Sequence, residues 1–116
     1  MEDLPKYLTI PISELSKFSK IRFEIFTDSH TLLTHMARSI ADEIKLNNLN
    51  GKPTRLILPV GPVGQYPILA EICNQEQISW KNVFTFNMDE YYDWQGRWIP
   101  SDHPLSFRGF YAESLV

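Results

Sequence analysis

Arg55-Leu56-Ile57-Leu58-Pro59-Val60-Gly61-Pro62-Val63-Gly64 reads as a short strand running into a turn-rich loop. Residues 55–58 are mostly apolar, the pattern of a strand covered on both faces. The loop leads into a predicted helix from about Gln65 to Gln75, with Ile68, Leu69, Ile72 and Cys73 as its apolar face. Pro67 is tolerated because it falls in the first turn.

Upstream, Leu32, Leu33, Met36, Ala37, Ile40, Ala41 and Ile44 recur at steps of three and four, which makes one apolar stripe on a long helix. Asp28 or Ser29 supplies the oxygen that caps its first turn, and Asn47 to Gly51 tolerates a left-handed end. Before that, Ile21-Arg22-Phe23-Glu24-Ile25-Phe26 alternates and then turns apolar, predicting a strand. Residues 1–20 form an N-terminal extension, with a short helix between Ser13 and Ser19. Downstream, Trp80, Val83, Phe84 and Phe86 predict a further strand ending at Asn87-Met88-Asp89-Glu90-Tyr91. Strand, helix, strand, helix, strand predicts an α/β fold, a Rossmann-like parallel sheet with flanking helices. Residues 92–116 are an aromatic-rich loop and tail, with a helix from Phe107 to Leu115 that Gly109 weakens.

The chain has 116 residues, enough for one domain over 1–116. Its 11 Lys and Arg against 14 Asp and Glu give a net charge of −3 with no block of like charges, which argues against nucleic acid or an acidic membrane surface as partner. No apolar run reaches the roughly 20 residues of a membrane span, and Met1-Glu2-Asp3-Leu4-Pro5 lacks a leader profile. The chain is expected to be cytoplasmic. Cys73, the one cysteine, lies in an apolar run and reads as a small core hydrophobe. No His, Cys and carboxylate cluster has ligand spacing for zinc, so neither metal nor cofactor is expected.

In a parallel sheet, ligands bind beyond the carboxyl ends of the strands. Two segments occupy such ends: Pro59 to Gly64, whose helix can present N–H groups to an anion, and Asn87 to Tyr91, which carries two carboxylates. Side chains alternate at a strand end, so only one of Asp89 and Glu90 should face the crevice. His30 and His35 fall on the solvent side of the first long helix. His103 reads as a hydrogen-bonding loop residue.

The run Thr85-Phe86-Asn87-Met88-Asp89-Glu90-Tyr91, followed by His103-Pro104-Leu105-Ser106-Phe107, resembles the glucosamine-6-phosphate deaminase (isomerase) family. The likeness covers roughly residues 23 to 111. It implies the N-terminal half of a larger three-layer domain acting on an amino-sugar phosphate. Asp89 then matches the carboxylate that takes the proton from C2 of the opened sugar and returns it to C1. A carboxylate at a strand end, shielded from water, suits that shuttle. Glu90 is structural in this reading, while Asn87 and the His103 loop position the base or close the site. The more distant 6-phosphogluconolactonases carry Asp-Glu-Arg at this strand end, so Tyr91 favours the deaminase branch.

Gly61, Val63 and Gly64 match the family's phosphate loop, where Pro-Thr-Gly-Gly-Thr-Pro is usual. Valine methyls replace both threonine hydroxyls and Pro62 lacks an N–H, so an anion forgoes up to three hydrogen bonds of about 1.5–3 kcal/mol each. An insertion filled by Asp93-Trp94-Gln95-Gly96-Arg97-Trp98 should reshape the pocket mouth. Family members are longer, and their second half carries an Asp-Gly-His region and the basic residues that grip phosphate. A lone general base supplies on the order of 10²–10⁴-fold, so this chain by itself is expected to be nearly inactive. The partners implied are a sugar-phosphate small molecule and either a second copy or a complementary C-terminal half. The alternatives are an inactive truncated homologue serving as a binding or assembly module, and a lactone hydrolase.

Overall fold

The computed structural model describes residues 5–114. Met1–Leu4 of the extension and its leader profile, and Leu115 and Val116 of the tail, lie outside the described residues. In chain order the elements are α1 (Leu15–Phe18), α2 (Ser29–Leu49), β1 (Thr54–Leu58), α3 (Gln65–Gln75), β2 (Val83–Asn87) and α4 (Phe107–Ser114). Strands β1 and β2 pair in parallel, with Thr54 opposite Val83 and Leu58 opposite Asn87, and α3 makes the crossover. This is the α/β arrangement expected.

Helix α2 begins where Asp28 accepts from the Thr31 N–H at 2.8 Å, which satisfies a first-turn donor. It ends on Gly51, whose φ of +63° costs a residue without a Cβ little. Lys52 N–H then donates to the Asn47 carbonyl at 2.8 Å and Gly51 N–H to Asn48 at 3.2 Å, so the last carbonyls are satisfied. The apolar stripe of α2 lies on α3. Ala37, Ala41, Leu69, Ile72 and Cys73 form the shared core, with Ile40, Ile68, Ile78 and Trp80 around it. The alanines allow close approach of the two helices, and Cys73 is buried there as a small hydrophobe.

One face of the sheet turns inward, with Thr54 and Leu58 buried. The other carries Arg55, Ile57, Phe84 and Phe86, which the register places side by side, and its three apolar members are exposed. The radius of gyration is 18.5 Å, against roughly 13 Å for a compact domain of about 100 residues. The described part is therefore an open layer of two helices on a two-stranded sheet, not a closed globule.

Two expectations are corrected. Residues 21–26 form no strand: the backbone has no ladder partner among the described residues, and Ile21 and Ile25 are exposed. Alternation marks a surface suited to pairing, but a strand needs a neighbour to receive its N–H and C=O groups. Trp80 precedes β2 instead of opening it, because a turn that bonds Val83 N–H to the Trp80 carbonyl at 3.0 Å delays the strand. Trp80 instead packs on the helix core.

Candidate functional site

Pairing of Leu58 with Asn87 brings both strand ends to one edge, and Met88 N–H extends the ladder by donating to the Leu58 carbonyl at 3.0 Å. The loops after β1 and β2 therefore leave the sheet together. This is the edge at which parallel sheets present ligand sites.

Asp89 and Glu90 part company there. Glu90 turns toward α4, and its side chain is only 9% exposed. Its Oε1 accepts from the N–H groups of Tyr91 and Phe107, both at 3.0 Å. Its Oε2 accepts from Ser106 Oγ at 3.1 Å, Arg108 N–H at 3.1 Å and Arg108 Nε at 3.2 Å. Burial pushes the carboxyl up, but the Phe107, Arg108 and Tyr91 amides and the Ser106 hydroxyl outweigh it and bring it down to about 2. Glu90 is thus the structural carboxylate, occupying the first turn of α4 from a distant part of the chain. Ser106 caps the same turn, accepting from Gly109 N–H at 3.2 Å. Gly109 itself is required by contact, since a Cβ there would sit 2.2 Å from the Ser101 carbonyl oxygen. The helix accepts a poor helix former to let that loop approach.

Asp89 shares a cavity with Glu90, which corrects the expectation that only one of the two faces the crevice; they differ in their hydrogen bonds. Asp89 lines this cavity of about 430 Å³ with Asn87, Glu90, Tyr92, Trp98 and Arg108. Its side chain is exposed, which corrects the expectation of a carboxylate shielded from water. Shielding needs a covering layer, and the described residues beyond β2 supply only one wall. Asp89 also lies within electrostatic reach of the Tyr111 hydroxyl. That group's pKa is raised, first by burial, then by its bond with Tyr66, with the Asp89 charge adding to both.

The loop after β1 is not part of that cavity. Gly61 and Val63 are exposed, and none of Gly61, Val63 and Gly64 lines it. Gly64 is half-buried for a packing reason: a Cβ there would meet Leu33 Cδ1 of α2 at 2.6 Å. The loop is tied down instead by Tyr66, fully buried, whose hydroxyl donates to the Pro59 carbonyl and lies 3.3 Å from the Tyr111 hydroxyl. Beside it, buried Gln65 leaves its Oε1 without a partner among the described residues. The structure thus places Asp89 and the loop at one sheet edge, with the loop outside the Asp89 cavity. His103 shapes its own turn, Nδ1 accepting from Leu105 N–H at 3.1 Å, and His30 and His35 are exposed. The His103 loop is held through Glu90, not Asp89.

Tyr92 and Arg108 are cavity residues that the sequence did not single out, while Trp98, from the segment expected to reshape the pocket mouth, lines the cavity. The insertion, together with Tyr92 just before it, is an ordered hairpin. Tyr92 and Trp98 pair across it, and Gly96 turns its tip with φ +75°. Asp93 accepts from Gln95 N–H at 2.8 Å and Arg97 N–H at 2.9 Å, and its carboxyl is lowered first by the Arg97 amide. The Asp-x-x-Gly turn was the available signal. No group of three or more His, Cys, Asp or Glu among the described residues is placed to hold a metal ion, and no described helix is long and apolar enough to cross a membrane.

No protein-family model matches the chain. It is 43% identical over 77 residues to a glucosamine-6-phosphate deaminase of Parabacteroides distasonis, a match covering 64% of this chain and 27% of that relative. It is 38% identical over 93 residues to the glucosamine-6-phosphate deaminase of Phocaeicola vulgatus, covering 78% of this chain and 34% of the relative. It is 42% identical over 81 residues to that of Caenorhabditis elegans, with 68% and 28% covered. The matches thus span about a quarter to a third of the length of these curated relatives. Over that stretch the chain is a relative of the glucosamine-6-phosphate deaminases, as its strand-end motif implied.

Proposed function

We propose that this chain is the N-terminal, base-bearing part of a cytoplasmic enzyme that isomerises and deaminates an amino-sugar phosphate, with Asp89 as the proton shuttle. The observation that carries this reading is the division of labour at the end of β2. Glu90 is consumed by five hydrogen bonds to residues 91 and 106–108. Asp89, one residue away, stands in the cavity and accepts no hydrogen bond from a described residue. A carboxylate without internal partners is available to a substrate C–H or O–H. An aldose-to-ketose shift asks one base to serve two adjacent carbons.

In this reading the sugar lies over Asp89, which removes the C2 proton of the opened chain and returns it to C1. Ammonia then leaves from the C2 carbon after water adds. Gly61, Val63 and Gly64 sit at the same sheet edge but outside the cavity, so in this account they contact substrate only once a further layer of protein joins the loop to the cavity. The exposed face of Ile57, Phe84 and Phe86 is suited to receive such a layer, from a complementary C-terminal half or a second copy. The substrate is a sugar-phosphate small molecule.

The test is release of ammonia and ketose phosphate from glucosamine 6-phosphate by the purified chain, with Asp89→Asn beside it. The chain alone is expected to show at most trace turnover, all of it lost in Asp89→Asn. Turnover that survives the substitution overturns the assignment of Asp89.

A further inference from the structure

We infer that the Tyr92–Trp98 hairpin makes the cavity beside Asp89 a stacking site for a protonated amino-pyranose, bound by its ring and ammonium without need of a phosphate. This rests on the reading above only in using the same carboxylate. Three observations carry it.

The first is charge. Three charged side chains line the cavity, Asp89, Glu90 and Arg108. Glu90 and Arg108 pair, Nε to Oε2 at 3.2 Å, and the same Arg108 donates through Nη2 to the Ile99 carbonyl at 2.5 Å. Asp89 remains as the uncompensated charge. The cavity therefore repels a phosphate and attracts a cation. The second is the aromatic wall. Tyr92 and Trp98 are cross-strand partners, so their rings rise on one side of the hairpin. The Arg108 guanidinium lies 5.3 Å from the Trp98 ring centroid, which fixes the indole from one face. Trp98 nevertheless remains 60% exposed, leaving surface for a ligand. The third is preorganisation. Asp93 holds the turn through Gln95 and Arg97, and Ile99, buried, returns its N–H to the Tyr91 carbonyl at 3.2 Å. The wall is in place before a ligand arrives, so little ordering entropy is lost on binding.

A volume of about 430 Å³ falls in the roughly 300–1,000 Å³ range of small-ligand clefts. A pyranose offers C–H groups on one face for the indole and hydroxyls at its rim for Asn87. An amino substituent supplies the positive charge that Asp89 lacks. The loop at 59–64, without hydroxyls and outside this cavity, contributes nothing to that affinity.

The test is titration of the purified chain with glucosamine, glucosamine 6-phosphate and N-acetylglucosamine, read by calorimetry and by saturation-transfer NMR from the indole protons to the sugar ring. Glucosamine is expected to bind within about tenfold of glucosamine 6-phosphate, and N-acetylation, which removes the charge, to weaken binding about tenfold. Trp98→Ala should weaken glucosamine about tenfold, Trp98→Phe should restore most of it, and Trp94→Ala, at the exposed tip, should change nothing. If Trp98→Ala does not fold, saturation transfer in the wild-type chain decides the same point. No glucosamine binding, more than about tenfold preference for the phosphate ester, or equal affinity in Trp98→Ala overturns the inference. Turnover dependent on Asp89 with no effect of Trp98 would remove this inference and leave the proposed function standing. Stacking that depends on Trp98, together with turnover that survives Asp89→Asn, would do the reverse.

Discussion

Replacing Glu90 by Gln keeps the shape of the side chain and removes its charge together with one of its two acceptor oxygens. Whichever oxygen becomes the amide nitrogen then faces N–H donors, Tyr91 and Phe107 on one side or the Arg108 amide and guanidinium on the other. Two charge-assisted bonds are lost in either orientation, at about 1.5–3 kcal/mol each before relaxation, so the expected loss is about 3 kcal/mol. Titration gives the same size. A carboxyl ordinarily near 4.5 that is held at about 2 in the folded chain contributes about 3 kcal/mol when ionised. Because the folded value is the lower one, this contribution is complete above pH 4.5 and is lost as the pH falls toward 2. Urea unfolding at neutral pH, with hydrogen exchange at Phe107 and Arg108, should show the loss in Glu90→Gln, concentrated in α4. The variant's stability should also be flatter than wild type between pH 4.5 and 2. An unchanged midpoint with an unchanged acid profile would refute the tether.

Gly109→Ala should lower stability by about 1–2 kcal/mol despite alanine's better helix propensity, because its Cβ meets a backbone oxygen at 2.2 Å. Gly64→Ala should cost less than about 1 kcal/mol, since its contact is the flexible end of Leu33, which can turn aside. Denaturant midpoints for the pair check both, and a reversed order would contradict the packing account. The exposed Ile57, Phe84 and Phe86 should make the isolated chain self-associate, and Phe84→Lys should shift sedimentation profiles toward the monomer. A chain that is monomeric at every concentration would show that this face needs no cover.

The parts of the fold legible in the sequence were those fixed by local pattern. The three- and four-residue spacing from Leu32 to Ile44 marked α2, and Asp28 and Gly51 marked its ends. Alternation at the strand end did not separate Asp89 from Glu90, which line one cavity and differ in their hydrogen-bond partners. What could not be read depends on partners distant in sequence. Residues 21–26 look like a strand but have no pairing partner among the described residues, and the solvent exposure of Asp89 depends on a layer that no local pattern describes. The remote cap that Glu90 gives α4 joins positions 90 and 106–108, a contact invisible to periodicity. Gly109 reads as a flaw in a helix by propensity alone, and the Ser101 carbonyl beside it supplies the reason for it. The phosphate-loop resemblance marks Gly61, Val63 and Gly64 as substrate-binding residues, and the three-dimensional arrangement leaves them outside the cavity.

The central claim is that Asp89 is the base of an amino-sugar phosphate isomerisation. It is tested most directly by exchanging this chain for the matching stretch of the Parabacteroides distasonis deaminase and measuring ammonia release from glucosamine 6-phosphate. A folded chimera that turns over substrate and loses at least about 10²-fold in kcat on Asp89→Asn is the result predicted. A folded chimera whose Asp89→Asn variant is as active as its parent would contradict the account.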